Sequence, residues 1–209
     1  MIDLLTDIDR SVFLAVNGAH NTFFDFVMYW TSNKLIWIPL YAWFIYLFFR
    51  NFGWKITLAL LLMTAMVIVA ADQGSVHLFK NAVQRLRPCH EPGLEGLVHI
   101  VKGKCGGDYG FVSSHAANHF AVAMWISLLL GKRYANLTFL IFLWAAIIGY
   151  SRVYLGVHYP GDVLAGAAYG VIVAAVFYKI STLLFGKRLF VKSVNQRDKE
   201  GSHDPEKDI

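Results

Sequence analysis

Five apolar stretches separated by polar turns leave this chain few ways to fold. They cover residues 35–49, 56–79, 115–130, 137–150 and 163–185. A hydrocarbon layer is roughly 30 Å thick, and about 20 residues of helix cross it. Backbone N–H and C=O groups inside that layer have no water to bond, so each stretch has to satisfy its own, as a helix does. Composition points the same way. The 209 residues are 56% hydrophobic and only 16% charged, where a soluble domain carries roughly a quarter, and the mean hydropathy is +0.48. The expected fold is all-α, a polytopic transmembrane bundle of five to six spans. The third and fourth stretches are short, so their polar ends are expected to continue as helix beyond the lipid. Gly and Ala crowd the fifth, which permits close helix packing. Trp37, Tyr41, Trp43 and Tyr46 give the first an interfacial character.

Residues 1–33 are less apolar. Leu4, Leu5, Ile8 and Val12 form one amphipathic stripe, and Phe23, Phe24, Val27 and Met28 another. They are read as interfacial or partly inserted helices of a membrane domain covering residues 1–190. Asp3, Asp7 and Asp9 stand where a secretory signal would be basic, so an internal span is expected to direct insertion. Residues 191–209 mix charges with almost nothing apolar, which predicts a disordered tail.

The formal charge of +5 does not suggest nucleic acid, because the basic residues flank apolar stretches. Five spans put Arg50, Lys55, Lys132, Arg133, Lys187 and Arg188 on one side of the bilayer. The loops at 80–112 and 151–162 fall on the other. The positive-inside rule makes the first side cytoplasmic.

Three segments on the predicted outer side carry chemistry. In the first, running from Lys80 to Pro88, Lys80 and Arg87 are seven residues apart. On one helix they would share a stripe, about 10 Å apart along the axis, and converge on one anion. A snorkelling basic helix end explains this segment equally well. The second, Val112-Ser113-Ser114-His115, opens a span. Ser is a natural N-cap there, and a helix N-terminus can hold phosphate. The third joins Arg152, His158 and Asp162. Arg suits bidentate recognition of phosphate oxygens. A carboxylate near His fixes its tautomer and leaves the other nitrogen free to attack.

The order Lys-x6-Arg-Pro, Ser-x-His and Ser-Arg-x5-His-x3-Asp resembles the type-2 phosphatidic acid phosphatase family over roughly residues 70–170. The middle motif departs from the usual Pro-Ser-Gly-His at Val112 and Ser114. The resemblance implies a metal-independent membrane lipid phosphatase with no cofactor. Lys80, Arg87, Arg152, Ser113 and Ser114 would hold the phosphoryl group. His158 would attack phosphorus, Asp162 would orient His158, and His115 would protonate the leaving oxygen. The partners it implies are a lipid phosphate and the bilayer. The implied location is a bacterial inner membrane with the site facing the periplasm. The motifs read a phosphate rather than its lipid. Undecaprenyl diphosphate, lipid A phosphate, phosphatidylglycerophosphate and phosphatidate all fit, with a lean towards the first.

Other readings stay open. The phosphoryl group can pass to a second lipid instead of water. His115, His119, His158 and Asp162 offer a zinc-like ligand set. Asp72 and Gln73, inside a span, can mark a transport pathway, or Asp72 can be the buried partner of Lys80, two helical turns away. Cys89 and Cys105 share the outer loop, as a disulfide or as two thiols. His90, His99, Lys102 and Lys104 lie there too, in reach of a headgroup.

Overall fold

The computed structural model describes residues 2–103 and 105–186. Lys104, Lys187, Arg188 and the tail at 191–209 lie outside the described residues. The described residues are mostly helical: α1 (Ile2–Gly18), α2 (Thr22–Thr31), α3 (Ile38–Phe52), α4 (Trp54–Gly74), α5 (Asn81–Val83), α6 (Ser114–Leu130), α7 (Leu137–Tyr154) and α8 (Pro160–Phe185). Short 3-10 turns fill the loop before α6.

Among the described residues four helical runs are long and apolar enough to cross a membrane: Lys34–Phe52, Trp54–Val83, Leu137–Tyr154 and Pro160–Phe185. The 17-residue α6 sits among them, packed against α4, α7 and α8. It therefore has apolar residues all round, with Ala116, Trp125, Ile126 and Leu130 fully or almost fully buried, as a helix at the centre of a bundle requires. α7 reaches Tyr154, four residues past the expected apolar stretch, and this extension carries Arg152. Pro160 opens α8, where its missing N–H costs nothing.

α6 and α8 cross closely because α8 has glycines at the contact. A Cβ at Gly166 would lie 2.5 Å from the Ser113 carbonyl oxygen, and one at Gly170 would lie 2.1 Å from that of Ala117. Those contacts fix the start of α8 against the start of α6, where the second and third motifs meet.

The first motif does not lie on one helix. After α4 the backbone widens into a π-helical segment, Ser75–Lys80, and α5 ends at Gln84, whose φ of 51° is left-handed. Arg87 is extended, at φ −71° and ψ 155°, as expected of a residue before proline. Its N–H donates to the Asp108 carbonyl at 2.9 Å. Lys80 and Arg87 thus reach the site from a helix and from a loop, not along a shared stripe.

α1 and α2 form where the amphipathic stripes predict, but α1 faces the opposite way from a soluble helix. Leu4, Leu5, Ile8 and Val12 are exposed, while Phe13 and Asn17 are buried against the bundle. Asn17 donates to the carbonyls of His99 and Tyr154, both at 2.8 Å, and accepts from the His99 N–H. α1 is therefore pinned to the loop between α5 and α6 and to the end of α7.

Candidate active site

The ends of α4–α5, α6, α7 and α8 bring the three motifs together on one side of the bundle. His158 lies on the turn between α7 and α8, 1% exposed. Its Nε2 accepts from Arg87 Nη1 at 3.0 Å, because a guanidinium can only donate. Its Nδ1 is 3.4 Å from Asp162 Oδ2, with geometry too poor for a hydrogen bond. Burial first, and then the charges of Arg87, Arg152 and Lys80, holds the imidazole well below its ordinary pKa. The ring is therefore neutral at physiological pH and keeps a lone pair on Nε2.

Asp162 is fully buried in the first turn of α8. Its Oδ2 accepts the Tyr159 N–H at 3.0 Å, which caps the helix, and its Oδ1 accepts from Arg85 at 3.0 Å. The cap and the contact with His158 therefore use one carboxylate. Its backbone carbonyl accepts the Ser113 N–H at 2.9 Å, joining the second motif to the third.

Ser113 is the buried N-cap of α6, its hydroxyl accepting from the Ala116 N–H at 3.4 Å. Lys80 Nζ donates to Ser114 Oγ at 2.8 Å. Ser75 donates to the Asp72 carbonyl at 2.6 Å, and its oxygen lies 2.6 Å from Ser114 Oγ. Each hydroxyl has one hydrogen, so the chain runs Lys80 to Ser114 to Ser75 to the Asp72 carbonyl. The residue that departs from the family pattern thus anchors the lysine. The π segment turns Lys80 towards α6, so Ser114 is its hydrogen-bond partner, in place of the Asp72 pairing expected from regular helical spacing.

Arg87 is 8% exposed. It donates from Nε to the Gly107 carbonyl at 2.6 Å and from Nη1 to the Val157 carbonyl at 3.1 Å. Burial lowers its pKa, which Asp162 partly offsets. Arg152 donates to Ser32 Oγ at the end of α2, and its buried Nε has no hydrogen-bond partner. It lines a cavity of about 310 Å³ with Ser32, Asn33 and Gly106. His115 lies in the first turn of α6, within electrostatic range of Arg152, His158 and Lys80.

The arrangement does not gather a metal set from His115, His119, His158 and Asp162. His119 donates from Nδ1 to the His115 carbonyl at 2.7 Å and packs its ring against Trp144. Among the described residues the clusters with metal-like spacing lie elsewhere, one at His20, Asp25 and His99. There the His20 and His99 rings stack in parallel, 3.6 Å apart, so their lone pairs do not converge.

The loop between α5 and α6 is tied down by its own contacts. Cys89 and Cys105 are joined as a disulfide with Cα atoms 6.2 Å apart. His99 bonds Asp25 at 2.9 Å, His90 reaches the Gly106 carbonyl, and Lys102 lies over the Tyr29 ring. These three residues hold the loop against its neighbours.

Sequence reasoning passed over Arg85, Asp9 and Ser32. Arg85 bridges Asp9 on α1 and Asp162 on α8, with nitrogen–oxygen distances of 2.7 and 3.0 Å, and its guanidinium covers the Tyr159 ring. Asp9 also accepts the Gly161 N–H at 2.7 Å. The one available signal was that Arg85 stands two residues before Arg87.

A family model described as the PAP2 superfamily matches residues 54–185. A lipid A 4′-phosphatase of Bacteroides thetaiotaomicron is 42% identical over 182 residues, covering 87% of this chain and 80% of the relative. A lipid A 4′-phosphatase of Porphyromonas gingivalis is 31% identical over 181 residues, covering 86% and 75%. Among solved structures, the transmembrane PAP2-type phosphatidylglycerolphosphate phosphatase of Bacillus subtilis superposes with a TM-score of 0.64 at 23% identity, over 85% of this chain and 86% of that one. Aquifex aeolicus LpxE gives 0.55 at 25% identity, over 81% and 93%. The Bacillus structure bears on the fold alone.

Proposed function

The chain belongs to the PAP2 superfamily as an integral membrane lipid phosphatase, and from that premise we propose that it removes the 4′-phosphate of lipid A through a phosphohistidine on His158. The two curated relatives described above carry that substrate in their names. They shift the preference from undecaprenyl diphosphate to a phosphate ester on a sugar.

The observation that supports the mechanism is the setting of His158. It is buried and neutral, with Nε2 turned to Arg87 and Nδ1 turned to Asp162. Lys80, Arg87 and Arg152, with the Ser113 hydroxyl and the start of α6, bind the phosphoryl oxygens. They stabilise the charge that spreads over them in the transition state, commonly the largest catalytic contribution. His158 Nε2 attacks phosphorus. An N–P bond forms as the P–O bond to the sugar breaks, and His115, which takes up a proton when the phosphate dianion is bound beside it, gives that proton to the leaving oxygen. Asp162 stabilises the positive charge then carried by the His158 ring. In the second step His115 takes a proton from water as the water oxygen attacks phosphorus. The N–P bond breaks, inorganic phosphate leaves, and both histidines return to their starting states. Three fixed cations neutralise the phosphate, so the scheme needs no metal.

The site faces the periplasm of a bacterial inner membrane. Support comes from Arg50, Lys55, Lys132 and Arg133 at the opposite end of the bundle. The Cys89–Cys105 pair fits the same oxidising compartment.

The test is phosphate release by detergent-purified protein, with EDTA present, from lipid A, undecaprenyl diphosphate, phosphatidylglycerophosphate and phosphatidate. A His158→Ala variant is assayed beside it. Release from lipid A that disappears in the variant is the expected result. Release that EDTA abolishes, or that survives the substitution, would discard this mechanism.

A further inference from the structure

A second cavity opens on the His115 side of the site, with a volume of about 590 Å³. Aromatic and aliphatic side chains of α3, α4 and α6 make most of its wall. Its polar residues are few. Asp72, Asn118, His119 and His115 line it, with Lys34 as the one cation among its described residues.

Asp72 is an acid inside a membrane-crossing run, where an ionisable side chain is costly and marks a functional position. It is in no ion pair among the described residues. Its two oxygens instead accept from neutral amides, Asn118 Nδ2 at 3.1 Å and Gln73 Nε2 at 3.1 Å. A carboxylate can only accept, so Asn118 turns its nitrogen to Asp72 and its Oδ1 away. That Oδ1 is buried with no hydrogen-bond partner. An unmet buried acceptor is normally compensated by a donor. His119 adds a third acceptor. Its Nδ1 is spent on the His115 carbonyl, which leaves Nε2 with the lone pair of the neutral ring. The polar end of this cavity is therefore a cluster of acceptors, facing the side from which a leaving oxygen would be protonated.

An apolar wall with acceptors at one end fits a leaving group that carries hydrocarbon chains together with several hydroxyl or amide N–H donors. An acylated amino sugar has both. A diacylglycerol leaving group has the chains, but its ester oxygens only accept.

Resting on the substrate reading above, we propose that Asp72 and Asn118 form a specificity-determining site that accepts hydrogen bonds from hydroxyl or amide N–H groups of a sugar-bearing leaving group, and so selects saccharide lipid phosphates over glycerolipid phosphates.

Full-length wild type, Asp72→Asn and Asn118→Leu are compared on three substrates: lipid A carrying the 4′-phosphate, dioleoyl phosphatidate, and p-nitrophenyl phosphate, which has neither sugar nor chains. Losing a hydrogen bond to a buried acceptor site is expected to lower kcat/KM on lipid A roughly tenfold to a hundredfold. The losses on the other two substrates are expected to be several-fold smaller than on lipid A, since neither offers those donors. Equal losses on all three substrates overturn the proposal, because the pair then acts on the fold or the chemistry. So does an unchanged ratio of lipid A to phosphatidate. If Asn118→Leu fails to fold, the nearly isosteric Asp72→Asn decides alone. A wild type that hydrolyses phosphatidate but not lipid A overturns the substrate reading itself, and this outcome is visible before any variant is made.

Discussion

The guanidinium of Arg85 stands 3.0 Å from the buried carboxylate of Asp162 and is held from behind by Asp9, 2.7 Å away on α1. The carboxylate next to His158 is thereby tied to the first helix of the chain. Arg85 is three-quarters buried and spans both acids, so it fixes which Asp162 oxygen is left to face His158.

Under the proposed mechanism Arg85 is a positioning residue. Arg85→Gln is expected to lower kcat roughly tenfold to a hundredfold while KM changes little. Asp9→Asn gives a smaller loss of the same kind, because its carboxylate touches Arg85 and not the nucleophile. Steady-state phosphate release on both variants checks this. A rise in KM with kcat unchanged would instead place Arg85 in substrate binding.

Ser114 holds Lys80 through its hydroxyl. Ser114→Ala removes that acceptor and frees the ammonium, so substrate affinity is expected to weaken several-fold. Under the proposed mechanism Lys80→Ala removes one of the charges facing the transition state and should cost roughly a hundredfold to a thousandfold in kcat. A Ser114→Ala loss as large as that of Lys80→Ala would mean the hydroxyl itself meets the phosphate.

His158 gives the protein a pH-dependent stability. Its folded pKa is depressed, mainly by burial, below an unfolded value of about 6.5. The unfolded chain therefore binds more protons at mildly acid pH, and stability falls as pH drops. The contribution is fully present above about pH 6.5 and is lost as pH falls towards the folded value. Thermal denaturation of wild type and His158→Gln between pH 8 and pH 5 checks it. Wild type should lose more Tm over that interval than the variant, which has no titrating ring.

Two further predictions concern stability alone. Gly170→Val places a side chain against the Ala117 carbonyl, where even a Cβ would be 2.1 Å away. Overpacking of this kind costs roughly 1–3 kcal/mol or more, so a lower Tm or loss of folded protein is expected. The exposed Gly107, which has nothing within 4 Å of a built Cβ, is the control position for an alanine.

The Cys89–Cys105 disulfide closes a loop with a sequence separation of 16. Constraining a loop of about 15 residues stabilises by about 3 kcal/mol in the chain-entropy description. A Cys89→Ser, Cys105→Ser double variant, or wild type kept reduced, should melt lower in fluorescence-monitored unfolding. An unchanged Tm would mean that the loop is held by other contacts, such as those of Asn17 and Asp25.

The membrane class, the order of the helices and the three motifs were determined by the sequence alone. The reason is that each rests on local facts: runs of apolar residues a helix can bury in lipid, and spacings short enough to share a turn. Lys80, Ser113, Arg152, His158 and Asp162 could be named as candidates because their residue types announce their chemistry. What only the tertiary structure decided were relations between distant segments. Arg85 met Asp9 and Asp162, and Ser32 met Arg152, across the whole bundle, and no local pattern encodes such pairs. The split of Lys80 and Arg87 between a π-helical end and an extended strap depended on Gln84 and Pro88 within a packed loop. The outward-facing apolar stripe of α1 was visible as a stripe. Which way it pointed was decided by Asn17 and Asp9, whose polar groups found partners inside.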